Sequence, residues 1–410
     1  MDRSSTRTRV AALDAVRGFA IVAMIVAHAI PFTRAVTPTS VLAVEALLND
    51  VASPLFALVI GVTIALNTAR LPRSARPRFR VQTAIKAAAL IVLGLTLDLV
   101  EANVAVVLDY LGAALLVAIP LMFCSTRTLL AVTAALCVVG PLLTDAARQA
   151  AFAAPQLVYP VTPVTVVLDW LVLGESYRVL GLLPLLLLGI VVARWVGGAS
   201  ELSDATGREG ATGRVETRTR PARVAVVAAA GLALFAGSVP WRELAVASDT
   251  YTSGSYPDLL RDLGLSLLAY GVITFLIDGT GGRMHRAMRI LLRPLSAQGE
   301  MALSVYTLHV LVLAAIWASP IGEADGGWVG TARGWLITAS LLVGCAVFAI
   351  VWSRLLGTGP LERVVGVVSG RHPLGRRRPD TARAGAEAPA QSDEVDAQAA
   401  AMPGSDDARG

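Results

Sequence analysis

Ten stretches of the chain are apolar over roughly the length at which an α-helix crosses the hydrocarbon core of a bilayer, about 20 residues. They fall at 11–33, 42–68, 83–100, 104–123, 128–147, 178–196, 223–240, 258–278, 301–319 and 334–357. Hydrocarbon offers no partner to a backbone N–H or C=O, so consecutive segments of this kind have to be helices. The chain therefore reads as an all-α integral membrane protein of about ten transmembrane helices. Its 410 residues are 55% hydrophobic and only 16% charged, which excludes a soluble globular domain of this size. One more apolar piece, 164–174, is too brief to cross and reads as re-entrant or interfacial.

Orientation follows from where the arginines lie, because Lys86 is the only lysine. Arg70, Arg73, Arg76, Arg78 and Arg80 fall between the second and third segments, and Arg208, Arg214, Arg218, Arg220 and Arg223 between the sixth and seventh. Arg283, Arg286, Arg289 and Arg293 fall between the eighth and ninth. With ten crossings these loops share a side with Arg3, Arg7 and Arg9 and with the arginine-rich stretch after Arg371. That side is expected to be cytoplasmic, with both termini on it. The alternate connections are acidic, with Asp98 and Glu101, Glu243 and Asp249, and Glu323 and Asp325.

The expected organisation is a cytoplasmic N-terminus, 1–10, and a polytopic membrane domain, 11–366, interrupted by a cytoplasmic linker at 197–222. A disordered cytoplasmic tail, 367–410, has no apolar periodicity. The net charge of +5 belongs to loops and tail and marks no nucleic-acid surface. Cys124, Cys137 and Cys345 have no ligand spacing, so neither a disulfide framework nor a metal site is expected. The chain should reside in the cell membrane as a multi-pass protein among lipids, and self-association into a homodimer is left open.

The first segment carries Asp14, Arg17 and His28. An ionisable side chain deep in a bilayer costs on the order of 2.5–3.5 kcal/mol even on the gentlest scale, so three on one span need partners or a task. A secretory signal does not fit, because Asp14 and Arg17 interrupt its apolar core. Arg17 and His28 are eleven residues apart and so share one helix face, separated by roughly 16 Å along the axis. Asp14, three residues before Arg17, is placed to pair with it. Arg17 then sits near the cytoplasmic surface and His28 in the outer half of the bilayer.

Asp50, entering on the second segment from outside, reaches a depth of roughly 12 Å and can meet His28. A carboxylate beside a histidine orients the ring and favours its cation, as a general base requires. The bland reading of Asp50 is a hydrogen bond to a backbone group freed by Pro54. His309, with Tyr306 one turn before it, is a second intramembrane histidine able to line the same passage. His285 and His372 lie in basic segments and read as solvated. Trp170, Tyr177, Trp241, Tyr251, Tyr256, Trp317, Trp328 and Trp335 cluster toward the outer side, as an interfacial belt or as a platform for sugar rings.

The segment LDAVRGFAIVAMIVAH, Leu13 to His28, resembles the opening of the transmembrane acyltransferases: the acyltransferase-3, heparan-α-glucosaminide N-acetyltransferase and YeiB-like families. Its arginine, ten residues, histidine spacing is that of the acyltransferase-3 group. NDVASPLFALVIGVTIAL, Asn49 to Leu66, is similar to a segment of the glucosaminide acetyltransferases. ALSVYTLHVLV, Ala302 to Val312, is similar to the late Tyr-x-x-His helix of these families, and GPLERVVG, Gly359 to Gly366, to the C-terminal Gly-Pro-x-Glu of the YeiB-like group. The resemblance spans roughly residues 8–366. In the glucosaminide enzymes the catalytic histidine lies between the first two spans; here Thr33 to Ser40 contains none, and the role passes to His28.

The resemblance implies an acyltransferase, O- or N-directed. A cytoplasmic acyl-CoA, usually acetyl-CoA, would donate to an extracytoplasmic glycan or lipid-linked sugar. His28 and Asp50 would be catalytic, and Arg17, Asp14, His309 and Tyr306 would line the donor's passage. Acyl-CoA enters as a substrate, and no permanently bound cofactor is expected. Arginine suits the CoA phosphates, and the pantetheine arm is comparable in length with the gap between Arg17 and His28. A small-molecule transporter or exporter is the competing reading, since it too needs intramembrane charge. Against it, no paired halves with broken helices are visible.

Overall fold

The computed structural model describes residues 4–370, apart from 70, 156–158, 198–219, 249, 280–281 and 324–326. Among these residues there is no strand. Fourteen α-helices follow one another: α1 Ser4–Thr33, α2 Thr39–Thr68, α3 Arg76–Asp98, α4 Leu108–Ala118, α5 Thr126–Ala153, α6 Pro163–Leu168 and α7 Val179–Val196. After the linker come α8 Pro221–Ala247, α9 Tyr256–Thr274, α10 Gly282–Leu291, α11 Arg293–Glu300, α12 Ala302–Trp317, α13 Gly334–Leu355 and α14 Pro360–Val368. Most of the linker and everything from 371 onward lie outside the described residues, as do the side chains of His285 and His372.

Each of the ten apolar segments contains one of these helices, but two of the helices are shorter than a full crossing. Among the described residues, eight helices are long and apolar enough to span a bilayer, and a ninth is counted if α11 and α12, bent by 90° at Met301, form one span. α4 has 11 residues, about 16 Å, and α12 has 16, about 24 Å. The contacts at their ends carry both across the bundle. Phe123, just past α4, lies under Arg76 and Arg80 at the start of α3, and Arg194 at the end of α7 donates to the Met122 and Cys124 carbonyls. Asn103 and Val104, before α4, line a cavity at the opposite end, where α7 begins. α12 likewise starts on Glu362 of α14 and ends with Trp317 against Phe32, at the far end of α1.

The bundle has an inner and an outer layer. α2 and α7 are buried over 67% and 72% of their apolar windows, whereas α3 and α8 are buried over 22% each and turn most of their apolar surface outward. α1 packs on α2, α11 and α13, and α2 on α7 and α9. The α1–α11 crossing is close because both sides are glycine: a Cβ on Gly18 would stand 1.8 Å from the Leu295 carbonyl, and one on Gly299 1.7 Å from that of Asp14. Small residues let helix backbones meet where lipid supplies no hydrophobic drive. This contact holds the Asp14 and Arg17 turn of α1 in place.

Candidate functional site

A cavity of about 500 Å³ opens where the C-terminal part of α1 meets the N-terminal parts of α2, α7 and α9. The 99–107 connection, α5 and the loop before α9 complete its walls. In the ten-crossing arrangement, all of these belong to the end opposite the arginine-rich loops. Pro31, Pro54 and Pro141, each inside a helix, all line it. Proline has no N–H and so breaks the i to i−4 ladder, which bends helices and releases carbonyls at that level.

His28 and Asp50 both line this cavity, as their counted depths require. They are not, however, each other's hydrogen-bond partners. His28 Nδ1 lies 3.0 Å from His309 Nε2, with the two rings stacked at 5.2 Å and 19°. The Asp50 carboxylate instead accepts from Arg261 Nε at 2.6 Å. The side chain hydrogen-bonded to His28 in this structure is therefore His309 rather than Asp50. The reason is that Arg261, inside α9, brings a charge that must be paired in the membrane, and it takes the carboxylate. The same pairing displaces the simpler idea of Asp50 serving the backbone at Pro54. Arg261 is itself covered by the Phe235 ring, 5.3 Å from its guanidinium carbon.

His309 is fully buried and does not line the cavity. Its Nδ1 is 3.4 Å from the Val305 carbonyl, and the Tyr306 ring stands edge-on to it at 5.1 Å and 90°. The Tyr306 hydroxyl accepts from the Val107 N–H at 3.3 Å, tying α12 to the start of α4. Tyr306 is therefore a buried support for His309. Asp14 and Arg17 pair as their spacing requires, Arg17 Nη1 to Asp14 Oδ1 at 3.0 Å. Arg17 Nη2 also donates to Thr63 Oγ1 on α2 at 2.6 Å. This pair lies at the other end of α1's apolar length from His28.

The cavity also holds a polar cluster around Arg178, Ser253 and Asp258, none of them among the residues expected at the site. Arg178 is 5% exposed and donates to the Ser253 hydroxyl and the Glu175 carbonyl. Arg148 donates to the Ser253 carbonyl at 2.9 Å. The turn is completed by Asp258, which accepts from the Tyr251 hydroxyl and the Gly254 N–H, each at 2.8 Å. Gly254 has φ +82°, and a Cβ there would stand 2.5 Å from Arg178. Burial raises the pKa of Tyr251, opposed first by Arg242, and it stays a neutral donor. Among the charged residues of the lining, the acids Asp50, Glu175, Asp258 and Asp262 outnumber Arg178, and they share the walls with apolar residues such as Val104, Leu180 and Leu259.

The aromatic residues do not share one environment. Tyr177 and Tyr251 line the cavity. Trp241 stacks on Tyr256 outside it, and Trp170 donates to the buried Asp109 carboxylate at 2.8 Å. With Tyr110 donating to Asp169, that bond fastens the short α6 segment to α4. This is the brief apolar piece at 164–174, a helix shorter than a bilayer crossing. Among the described residues, no group of three or more His, Cys, Asp or Glu side chains is placed to hold a metal ion.

Two family models match the chain. Residues 9–208 match "Heparan-alpha-glucosaminide N-acetyltransferase, catalytic", and residues 206–368 match a family described as a protein of unknown function, DUF418. Among curated proteins and solved structures, none matches the chain. The pair of matches is consistent with the heparan-α-glucosaminide N-acetyltransferase-like and YeiB-like transmembrane superfamily that the motifs resemble. The chain is thus similar to a membrane acetyltransferase-like family, and to transferases by class. His28 and Asp50 come from the first matched region, and their partners His309 and Arg261 from the second.

Proposed function

We propose that this protein is a membrane-embedded acyltransferase that moves an acyl group, in the first instance acetyl, from a CoA thioester to a glycan or lipid-linked sugar. The donor enters at the arginine-rich, cytoplasmic end, and its phosphates meet Arg17. The acceptor occupies the cavity at the opposite, extracytoplasmic end of the cell membrane. One observation carries the reading: His28 lines a cavity of about 500 Å³ with several acidic side chains in its walls, on the same helix as Arg17, roughly 16 Å away along its axis. That gap accommodates the arm linking the CoA phosphates to its thioester.

The chemistry asked of the site is small. An acceptor O–H or N–H gives its proton to His28 as its oxygen or nitrogen attacks the thioester carbonyl. The carbonyl carbon's new bond forms, the C–S bond breaks, and the CoA thiolate leaves and takes the proton back from the imidazolium. Asp50 with Arg261, and Asp258 with Tyr251, offer the hydrogen-bonding groups that fix a polyhydroxylated ring. The Tyr177 and Tyr251 rings offer faces for it.

The test is release of free CoA by the purified protein in nanodiscs, supplied with acetyl-CoA and a panel of glycan acceptors. Acceptor-dependent release is expected, falling about 10²–10⁴-fold in His28→Ala, the usual worth of a positioned base. His28→Gln, which hydrogen-bonds but cannot carry the proton, should be equally poor. Undiminished transfer in a folded His28→Ala protein would falsify the assignment. Passage of a labelled sugar across the membrane without CoA release would point to a transporter instead.

A further inference from the structure

The hydrogen bond joining His28 Nδ1 to His309 Nε2 can run in either direction, and the surroundings of His309 choose between them. The Val305 carbonyl beside His309 Nδ1 can only accept. A neutral imidazole carries one N–H, so with Nδ1 donating to Val305 the Nε2 of His309 presents a lone pair. His28 must then donate from Nδ1, and its own Nε2 is left bare. Tyr306, edge-on to the ring and anchored through its hydroxyl to Val107, holds His309 in that pose.

We infer that His309 is a positioning residue: it fixes the proton of His28 on Nδ1 and thereby leaves Nε2 as the basic nitrogen for the acceptor in the cavity. The role that a carboxylate fills beside many basic histidines is filled here by a second imidazole. The other charged groups at the cavity have partners of their own, as Arg178 has in Ser253 and the Glu175 carbonyl, or make no hydrogen bond to His28 among the described residues. Asp50 of α2 is paired with Arg261, and Asp258 of α9 is taken up by Tyr251 and Gly254. Asp262 of α9 and Glu175 line the cavity, but among the described residues neither has a hydrogen bond to His28. When Nε2 takes the acceptor's proton, the imidazolium's Nδ1–H still points at the His309 lone pair, which stabilises the charge without a second proton transfer. The proton then leaves on the CoA thiolate, and both rings return to their starting tautomers.

This inference rests on the reading of His28 as the base, so its test needs one measurement that does not depend on transfer. The full chain, labelled with ¹⁵N at histidine and reconstituted in nanodiscs, is compared with His309→Phe and His309→Gln. His28 should show the Nδ1–H tautomer in the wild type and lose that preference in His309→Phe. Glutamine, which accepts through Oε1, should restore it. Transfer is expected to follow: kcat lower by about 10–100-fold in His309→Phe, as when a residue that orients a metal-bound histidine is removed. KM for acetyl-CoA should stay unchanged, and most of kcat should return in His309→Gln. A wild-type His28 in the Nε2–H tautomer overturns the inference, even if the variants do not fold. So does a His309→Phe protein in which tautomer and kcat are both unmoved. Absence of CoA release from the wild type with every acceptor would sink the acyltransferase reading alone, leaving the tautomer measurement to decide on His309.

Discussion

Asp50 on α2 and Arg261 on α9 are joined at 2.6 Å across 211 positions of sequence, on the wall of the cavity. The arginine is 9% and the aspartate 20% exposed at the side chain. Removing one member leaves the other's charge without its partner at the cavity wall, at a cost of about 1–3 kcal/mol. Arg261→Ala should therefore melt well below the wild type in detergent, while Asp50→Asn with Arg261→Gln recovers most of the loss. Equal stability of the single variant and the wild type would show that the pair is not structural.

Arg17 divides its guanidinium between Asp14 and Thr63, a fork that lysine cannot reproduce. Arg17→Lys should raise KM for acetyl-CoA by about tenfold, the worth of one hydrogen bond to a charged group, with kcat nearly unchanged and a smaller effect on the melting temperature than on donor binding. Tight donor binding by a folded Arg17→Ala protein would remove this residue from the donor path.

Glu362 is the cap on α12. Its carboxylate accepts from the Leu303 and Ser304 N–H groups at 2.6 and 3.1 Å and from the Ser304 hydroxyl. Ser304 in turn accepts from the Leu361 N–H at 3.1 Å. Glu362→Ala exposes the start of the helix that bears His309 and should cost about 1–2 kcal/mol, the upper range for a lost cap. Thermal unfolding measures it, and Glu362→Gln should recover part of the loss.

Sidedness is open to labelling. In a background with Cys124, Cys137 and Cys345 replaced by serine, Phe152→Cys, in the exposed last turn of α5, should react with an impermeant thiol reagent added outside intact cells. Ser74→Cys, among the arginines before α3, should react only after permeabilisation. The reverse pattern would invert the chain and, with it, the direction proposed for transfer.

The helices were legible because bilayer thickness and backbone satisfaction leave apolar segments little choice, and all ten segments contain one. The shortness of α4 was not legible: its segment continues through Ile119–Phe123, which is apolar enough for a membrane but forms turns. Hydropathy registers the environment of a residue and not its dihedral angles. Axial counting brought His28 and Asp50 to one cavity, since depth accumulates at a fixed rise per residue. It did not reveal the partner of either, because that depends on how α9 and α12 are rotated about their axes. Arg261 did carry a signal, an arginine inside an apolar segment that has to find an anion. Arg178 carried a weaker one, at the edge of its segment.

Pro31 and Pro54 have a bearing on how the cavity can be probed. A proline lacks the N–H that would hold the carbonyl four residues earlier, so the carbonyls of Ala27 and Asp50 lose their ladder partners at two residues that themselves line the cavity. These are acceptors belonging to the main chain, and replacing side chains one at a time leaves them in place. A scan of the lining by alanine will therefore understate how much of an acceptor's hydroxyl binding the walls provide. Pro31→Ala and Pro54→Ala, which return an N–H to each helix, are the substitutions that would withdraw those two oxygens.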